Sequence, residues 1–306
     1  MDKLKLWMKA SRFRVLPVMV IPVLLGGVGA YAWEGVFHPL LFIVTLLGAA
    51  CTHLFSNMIN DLWDFRNGVD SAAKETAAAI STNSGFLAGG MMSERTFSFA
   101  TWGLFAVAVA CGITVSLFSG WWPLVIGALG ALIAYFYVAP PLKFGYLGKG
   151  YSEIAILLSF GILPVMGTYY VQLEQFDVRP LLLSLPIGLL TTLILFNHHF
   201  LHWQADRSAG KRTLVVVWGE KKALVFSRWL AIFAYVSLLL CVVLQVLPWY
   251  ALLAVFTAIK LFRVYGTLGE RNDSRAYLPL MGASLQASVR CGALMALSLL
   301  LQGLLH

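Results

Sequence analysis

Charged residues are scarce in this 306-residue sequence: Asp, Glu, Lys and Arg together make up 12% of it, whereas 59% is hydrophobic. A soluble domain carries roughly twice that charged fraction. The mean hydropathy of +0.80 comes from long apolar runs rather than from scattered core positions. Because a helix needs ~20 apolar residues to cross a bilayer, the composition argues against a soluble domain and predicts an integral membrane protein.

Cysteine is also scarce, with four residues that all lie within apolar runs and never in C-x-x-C spacing: Cys51, Cys111, Cys241 and Cys291. This spacing argues against a disulfide framework or a zinc site and indicates small packing residues. We interpret the formal net charge of +8 as loops that face anionic lipid and as local anion sites, not as nucleic-acid binding. The sequence indicates no protein partner.

Apolar runs between polar breaks predict nine transmembrane helices in an all-α fold. They are expected near residues 15–33, 39–59, 97–119, 121–139, 153–173, 180–202, 223–246, 249–267 and 285–304. We find no soluble domain or cleaved leader and expect residues 1–306 to form a single polytopic domain.

Basic residues precede the first predicted span and fill the longer loops, whereas only Arg179 falls in a short loop on the other side. The positive-inside rule then places the N-terminus and the long loops in the cytoplasm. We therefore expect a multi-pass protein of a bacterial-type cytoplasmic (inner) membrane.

A first polar segment ends the second predicted span. Asn57, Asn60, Asp61 and Asp64 are spaced i, i+3, i+4 and i+7, so they share one helical face. Clustered carboxylates repel one another unless a cation lies between them, and carboxylate and amide oxygens suit Mg²⁺. The alternative is a solvated helix end, but stacked Asn and Asp residues at a membrane boundary favour a functional site.

A second polar segment follows the sixth predicted span. His198, His202 and Asp206 are spaced i, i+4 and i+8, a pattern that could hold a transition metal. We favour a polar pocket wall whose histidines hydrogen-bond substrate or water. Lys211 and Arg212 nearby supply cationic donors for an anionic ligand.

A third segment follows the fourth predicted span, where Pro140-Pro141 ends a helix and several glycines allow a tight loop. Lys143 and Tyr146 in this loop could both reach a phosphate, and the alternative is a loop whose basic residues only anchor it at the membrane. Acids for a metal, bases for phosphate and apolar helices beneath them together favour a substrate with a diphosphate head and a long apolar tail.

These segments resemble the UbiA superfamily of intramembrane prenyltransferases. The matching stretches are N-D-x-x-D-F-x-N-G-x-D from Asn60 to Asp70, Ser84 to Gly90, Y-x-A-P-P-x-K from Tyr137 to Lys143, Phe160 to Gln172, and D-R-x-A-G-K-R-T-L from Asp206 to Leu214. The first stretch looks most like the branch that prenylates 1,4-dihydroxy-2-naphthoate in menaquinone biosynthesis. The resemblance implies nine helices around a central cavity.

The second Asp-rich motif departs from the family pattern, because His202 replaces the first of its two aspartates and a histidine is a poor Mg²⁺ ligand. The resemblance implies Mg²⁺-dependent transfer of a polyprenyl group from an isoprenyl diphosphate to an aromatic acceptor. A histidine, His199 or His202, is the candidate base.

The expected metal ligands are Asn60, Asp61, Asp64 and Asp206. The expected catalytic residues are Asp64, Asp206, His202 and Lys143. The expected substrate-binding residues are Asn57, Asn60, Arg66, Asp70, Tyr137, Tyr146, His199 and Lys211.

Two alternatives stay open. The same fold could serve another acceptor: 4-hydroxybenzoate, homogentisate, a porphyrin or glyceryl phosphate. A cation-coupled transporter is a different class, but it predicts acids near the bilayer midplane. Here the acids cluster at one face of the membrane.

Overall fold

The computed structural model describes residues 3–68, 85–87 and 89–305, and their regular structure is helical. The α-helices are, in chain order, α1 Lys3–Ala10, α2 Pro17–Glu34, α3 Pro39–Arg66, α4 Glu94–Ser119, α5 Trp122–Phe136, α6 Tyr151–Leu173, α7 Val178–His199, α8 Trp203–Ser208, α9 Leu214–Trp218, α10 Glu220–Val243, α11 Ala258–Gly266 and α12 Leu278–Leu305. Short 3-10 helices at Phe13–Val15, Phe144–Tyr146, Trp249–Thr257 and Ser274–Tyr277 join some of them.

Within the described residues, eight helical segments are long and apolar enough to cross a membrane, which confirms the all-α membrane fold. The span predicted at 121–139 is α5, an apolar helix of 15 residues. At 1.5 Å per residue it reaches ~22 Å, less than the ~30 Å hydrocarbon core. It ends early because the chain turns into the loop around Pro140-Pro141, where proline opposes helical geometry in the residue before it.

Other boundaries also differ from the prediction. Helix α3 continues to Arg66, seven residues beyond the predicted end at 59. Its extension carries polar residues, which end a hydropathy run although they do not end a helix. Helix α12 begins at Leu278, seven residues before the predicted start at 285, and this extension is mostly apolar. The predicted span at 249–267 is also irregular, since it starts as the 3-10 helix Trp249–Thr257 and continues as α11.

The outer surface of the helices carries large apolar side chains that would be unfavourable in water. Exposed examples are Leu40, Phe99, Leu117, Val243 and Leu305, each at least three-quarters exposed. Such a surface is stable when lipid covers it, and the helices satisfy their own backbone hydrogen bonds as a bilayer requires.

The described residues form three clusters of buried apolar side chains. The largest joins α2, α7, α10, α11 and α12, and the smallest lies around Tyr137. The second cluster lies under the N-terminal helix, where Ala10 packs with Phe55, Phe86 and Phe97. This second cluster fixes the N-terminal segment against α3 and α4.

The polar loops meet at one end of the helix bundle. The backbone N–H of Arg212 donates to the carbonyl oxygen of Tyr146 at 3.0 Å, and Tyr146 in turn contacts Asp64 at the end of α3. At the other end, Arg179 donates to Glu34 at 2.6 Å. The three polar segments that the sequence singles out therefore lie at the same end of the molecule.

A π-helical turn, Leu158–Ile162, interrupts α6 where it packs on α7. A Cβ added to Gly161 would lie only 2.7 Å from the Cα of Gly188, so the two helices approach each other through glycine. The same turn presents the ring of Phe160 to His53 of α3, with 5.3 Å between ring centroids. Such π turns occur frequently at functional sites.

Candidate active site

The carboxylate of Asp64, near the end of α3, connects two of the polar segments. Its Oδ1 accepts a hydrogen bond of 2.5 Å from the hydroxyl of Tyr146, and its Oδ2 lies 3.6 Å from the Nζ of Lys211. The Lys211 ammonium also lies over the Tyr146 ring, 5.0 Å from its centroid. Three residues from separate polar segments therefore form one charged group.

The loop that follows α5 positions its side chains through a tight turn. The N–H of Gly145 donates to the carbonyl oxygen of Tyr137 at 2.9 Å, and a Cβ on Gly145 would collide with Tyr137. Lys143 adopts a left-handed backbone conformation, and its Nζ donates to Oδ1 of Asn67 at 2.7 Å. The turn therefore holds Lys143 and Tyr146 against the end of α3.

Asp206 on the short helix α8 is fully buried. Its backbone carbonyl accepts from the N–H of Lys211 at 2.8 Å, and its Oδ2 lies 3.4 Å from Nε2 of His202. Burial raises the pKa of Asp206 to about 7, although the Lys211 charge opposes that effect. Burial likewise lowers the pKa of His202 well below its ordinary value. The imidazole is therefore neutral at pH 7 and does not neutralise the carboxylate.

Lys211 carries the positive charge of this group. Its side chain is buried, and burial alone would lower its pKa. The carboxylates of Asp64 and Asp206 outweigh that effect and raise the pKa above the ordinary lysine value. A buried ammonium next to two carboxylates is a stable arrangement only because the charges compensate one another.

Unpartnered oxygens on α3 and α8 fit a hard cation. Both carboxylate oxygens of Asp206 and Oδ1 of Asn60 are buried without a hydrogen-bond partner in the part of the chain that the structure describes. Buried oxygens normally have partners, so these atoms are suited to a ligand. No group of three His, Cys, Asp or Glu residues arranged for a metal occurs among residues 3–68, 85–87 and 89–305. Mg²⁺ needs no such cage, because it keeps several waters and takes phosphate oxygens as ligands.

Other predicted site residues occupy different surroundings. Asp61 is buried, and its carboxylate pairs with Arg12. Arg66 forms a partly exposed ion pair with Glu94, at 2.7 Å. Asp70 lies outside the described residues, and the role of each of these residues stays a prediction.

Tyr137 and His199 are both buried near the same end of the bundle. Burial raises the pKa of Tyr137 to about 12, so it keeps its hydroxyl proton at neutral pH. The amide nitrogen of Asn57 donates to the carbonyl oxygen of Ser11 at 3.1 Å and contacts His53 at 3.3 Å. These residues therefore line or support the site, and their predicted contacts with substrate stay predictions.

The sequence interpretation missed Arg12 and Asn67 as site residues. Arg12 is one of the basic residues before the first span, and no local pattern links it to Asp61, which is 49 positions away. Asn67 could have been found, because it lies inside the motif that runs from Asn60 to Asp70 and the structure places it against Lys143.

Comparisons with known proteins agree with this geometry. The sequence pattern of the UbiA prenyltransferase family matches residues 19–300. The chain is 29% identical over 278 residues to a 2-carboxy-1,4-naphthoquinone phytyltransferase of Synechocystis sp., covering 88% of this chain and 85% of the relative. It is 31% identical over 225 residues to the 1,4-dihydroxy-2-naphthoate octaprenyltransferase of Escherichia coli, covering 71% of this chain and 70% of the relative.

The fold also matches a solved structure, a UbiA homolog from Archaeoglobus fulgidus bound to DMAPP and Mg²⁺. The TM-score is 0.67 at 16% sequence identity, and the match covers 94% of this chain and 98% of that one. The family match spans nearly all of the membrane helices. The chain therefore belongs to the UbiA prenyltransferase family and is a prenyltransferase of the membrane.

Proposed function

We propose that this prenyltransferase transfers a polyprenyl group from an isoprenyl diphosphate to 1,4-dihydroxy-2-naphthoate, in a Mg²⁺-dependent step of menaquinone biosynthesis. The observation that carries the proposal is the meeting of Asp64, Asp206 and Lys211 at the polar end of an apolar helix bundle. This arrangement suits a substrate with an anionic head and a hydrocarbon tail.

The donor head group is assigned to the polar end of the bundle. Asn60, Asp64 and Asp206 would hold Mg²⁺, with Asp61 close by on the same helix face, and the bound ion would help to neutralise the diphosphate. The solved UbiA homolog bound to DMAPP and Mg²⁺ supports this assignment, since it shares the fold. His202 is not counted among the metal ligands, because an imidazole suits Mg²⁺ poorly.

Three side chains of this protein are assigned to the diphosphate itself. Lys211 and Lys143 bring positive charge, and Tyr146 brings a hydroxyl that Asp64 already orients. Negative charge grows on the diphosphate as the allylic C–O bond breaks, so fixed cations in a buried site stabilise the transition state more than the ground state. Arg66 is left at the rim, because Glu94 already pairs with it.

An apolar cleft between α2, α3, α4, α5 and α6 is assigned to the donor tail. Small residues form much of its wall. The glycines that line it are Gly48, Gly112, Gly127, Gly130 and Gly167. A hydrocarbon chain fits such a lining because most of the residues in it are apolar.

The acceptor is chosen from the relatives, since two of them are named for naphthoate or naphthoquinone substrates and cover most of this chain. In the proposed reaction the electron pair of a ring carbon forms the new C–C bond to the prenyl group. The ring becomes aromatic again when that carbon loses its carboxylate as CO₂. His202 and His199 are the candidate bases of the sequence analysis. Because loss of CO₂ leaves no ring proton to remove, we assign them a hydrogen bond to a ring hydroxyl instead.

The test is a set of parallel reactions with purified protein, Mg²⁺ and one prenyl diphosphate. The acceptors are 1,4-dihydroxy-2-naphthoate, 4-hydroxybenzoate, homogentisate and glyceryl phosphate, and the products are identified by mass. We expect a prenylated, decarboxylated naphthoate product and little of the others. A product from 4-hydroxybenzoate in preference to the naphthoate would overturn the acceptor assignment.

We also propose that the chain is one polytopic domain in a cytoplasmic-type membrane with its N-terminus inside. The charge distribution supports this orientation, because the polar end of the bundle carries most of the basic residues. Labelling of single cysteines introduced at Lys5 and at Phe176 with a membrane-impermeant reagent in intact cells tests it. Labelling at residue 5 but not at residue 176 would reverse the orientation.

A further inference from the structure

A second polar cluster lies on α3 and on the N-terminal segment, and the mechanism above gives it no role in the chemistry. We call Arg12, His53, Asn57 and Asp61 the Arg12 cluster. Arg12 pairs with the buried carboxylate of Asp61, and Asn57 donates to the carbonyl oxygen of Ser11 at 3.1 Å. These two contacts hold the N-terminal segment, with Arg12 in a left-handed backbone conformation, against α3.

The Arg12 cluster contains two buried donors that have no acceptor. The amide nitrogen of Asn57 only donates, so Nε2 of His53, at 3.3 Å, must accept and the proton of the neutral ring lies on Nδ1. That Nδ1 and the Nε of Arg12 are both buried without a hydrogen-bond partner in the described residues. The Asp61 carboxylate pairs with Nη2 of Arg12, so the Nε–H of the guanidinium is available to a ligand.

The cluster lies between the groups assigned to the donor head and the cleft assigned to the tail. Along α3, His53 directly follows Thr52, which lines the cleft, and Asp61 comes three residues before Asp64. Arg12 pairs with Asp61, and Lys211 approaches Asp64 three residues further along α3, so both cationic groups lie against the same stretch of that helix. A ligand at the cluster would therefore lie near the allylic carbon of a bound donor.

The surroundings of His53 also suit an aromatic ring. Phe160 meets the imidazole edge-on, with 5.3 Å between centroids, and Ser159 beside it lines the cleft with an unpartnered hydroxyl. Aromatic side chains favour such edge-on contacts with a further ring. A positive charge, two free donors and an aromatic wall together describe a site for an aromatic acid.

We propose that the Arg12 cluster binds the acceptor, with Nε of Arg12 and Nδ1 of His53 donating to the carboxylate and the neighbouring hydroxyl of a hydroxynaphthoate. The inference rests on the proposed function, which supplies an acceptor that carries a carboxylate. Asn57 and Asp61 act as positioning residues, because they hold His53 and Arg12 in place. Arg12 then selects acidic acceptors over neutral phenols of the same shape.

The test measures binding and needs no turnover. Purified full-length protein, without donor or Mg²⁺, is titrated with 1-hydroxy-2-naphthoate and with 1-naphthol, which lacks only the carboxylate. A charge-assisted hydrogen bond corresponds to roughly tenfold or more in affinity, so the wild type should prefer the acid by about that factor. Arg12→Gln should reduce the preference to less than about threefold, and Arg12→Lys should keep part of it.

Two further variants keep the result interpretable. Arg14→Gln is the matched control, because Arg14 is exposed and two positions away, and it should keep the full preference. His53→Phe leaves the Arg12–Asp61 pair intact and should weaken binding of 1-hydroxy-2-naphthoate by about tenfold. Circular dichroism and thermal unfolding in detergent identify any variant that does not fold.

The outcomes separate this inference from the proposed function. The inference would be overturned if the wild type bound both compounds equally. It would also be overturned if folded Arg12→Gln kept the full preference and His53→Phe kept its affinity. Prenylation of the naphthoate together with either result would support the proposed function without the acceptor site. Selective binding of the acid without transfer to any acceptor would instead support the cluster and refute the proposed function.

Discussion

Replacing Lys211 by methionine removes the positive charge between Asp64 and Asp206 while keeping most of the side-chain volume. Nζ of Lys211 lies 3.6 Å from Asp64 Oδ2, and the side chain is 9% exposed. At an effective dielectric constant of about 20, such a pair attracts by roughly 5 kcal/mol. The transition state gains only the part of that interaction that follows charge onto the leaving diphosphate. Loss of one such preorganised group typically lowers kcat by about 10²–10³-fold.

We therefore expect Lys211→Met to lower kcat by about that factor at saturating Mg²⁺. The assay is initial-rate transfer of a radiolabelled prenyl diphosphate to the acceptor by purified protein. Lys222→Met is the matched control, because Lys222 is exposed on α10, and it should stay within about twofold of the wild type. A folded Lys211→Met protein with a kcat within threefold of the wild type would refute the assignment of Lys211 to the diphosphate.

Three further predictions concern the metal, the tail and the packing. Tyr146→Phe removes the hydroxyl that orients the carboxylate of Asp64, so it should raise the Mg²⁺ concentration for half-maximal rate by about 10–100-fold. The control Tyr151→Phe changes an exposed tyrosine and should leave that concentration unchanged, and equal Mg²⁺ titrations of the two variants would contradict the prediction. Gly130→Leu fills the cleft and should lower the rate with long prenyl donors far more than the rate with dimethylallyl diphosphate. An equal loss of rate for both donors, with products identified by mass, would refute the assignment of the cleft to the donor tail. Gly161→Ala places a Cβ 2.7 Å from a facing backbone atom and should lower the unfolding temperature in detergent by several degrees. The control Gly103→Ala adds a Cβ where no other atom lies within 4 Å and should leave that temperature unchanged. An unchanged unfolding temperature for Gly161→Ala would mean that the helices can separate without cost.

Much of the fold could be predicted from the sequence because hydropathy alone determines where a helix can cross a bilayer. Prediction failed at positions where a membrane helix carries polar residues on an inward face. The run from Asn60 to Arg66 belongs to α3, although its polarity suggested that the span had already ended. The short helix α5 shows the opposite error, since its apolar run continues to Ala139 but the backbone leaves the helix after Phe136.

The candidate site was predictable where spacing along one helix determines which residues share a face, as for Asn60 and Asp64. It was not predictable where residues from distant segments meet. The contacts of Lys211 with Asp64 and of Arg12 with Asp61 depend on how three helix ends come together. A sequence shows that these residues are charged, but only the packed structure shows which carboxylate each cation approaches.

The central claim is that Asp64 and Asp206 act together in Mg²⁺-dependent prenyl transfer. The most direct test measures labelled prenyl transfer to 1,4-dihydroxy-2-naphthoate with and without Mg²⁺ in the wild type, Asp64→Ala, Asp206→Ala and the exposed control Asp273→Ala. We expect Mg²⁺-dependent product in the wild type and the control, and product at least ~10²-fold lower in both site variants. Full activity in folded Asp64→Ala and Asp206→Ala proteins, or wild-type transfer that needs no Mg²⁺, would contradict the account.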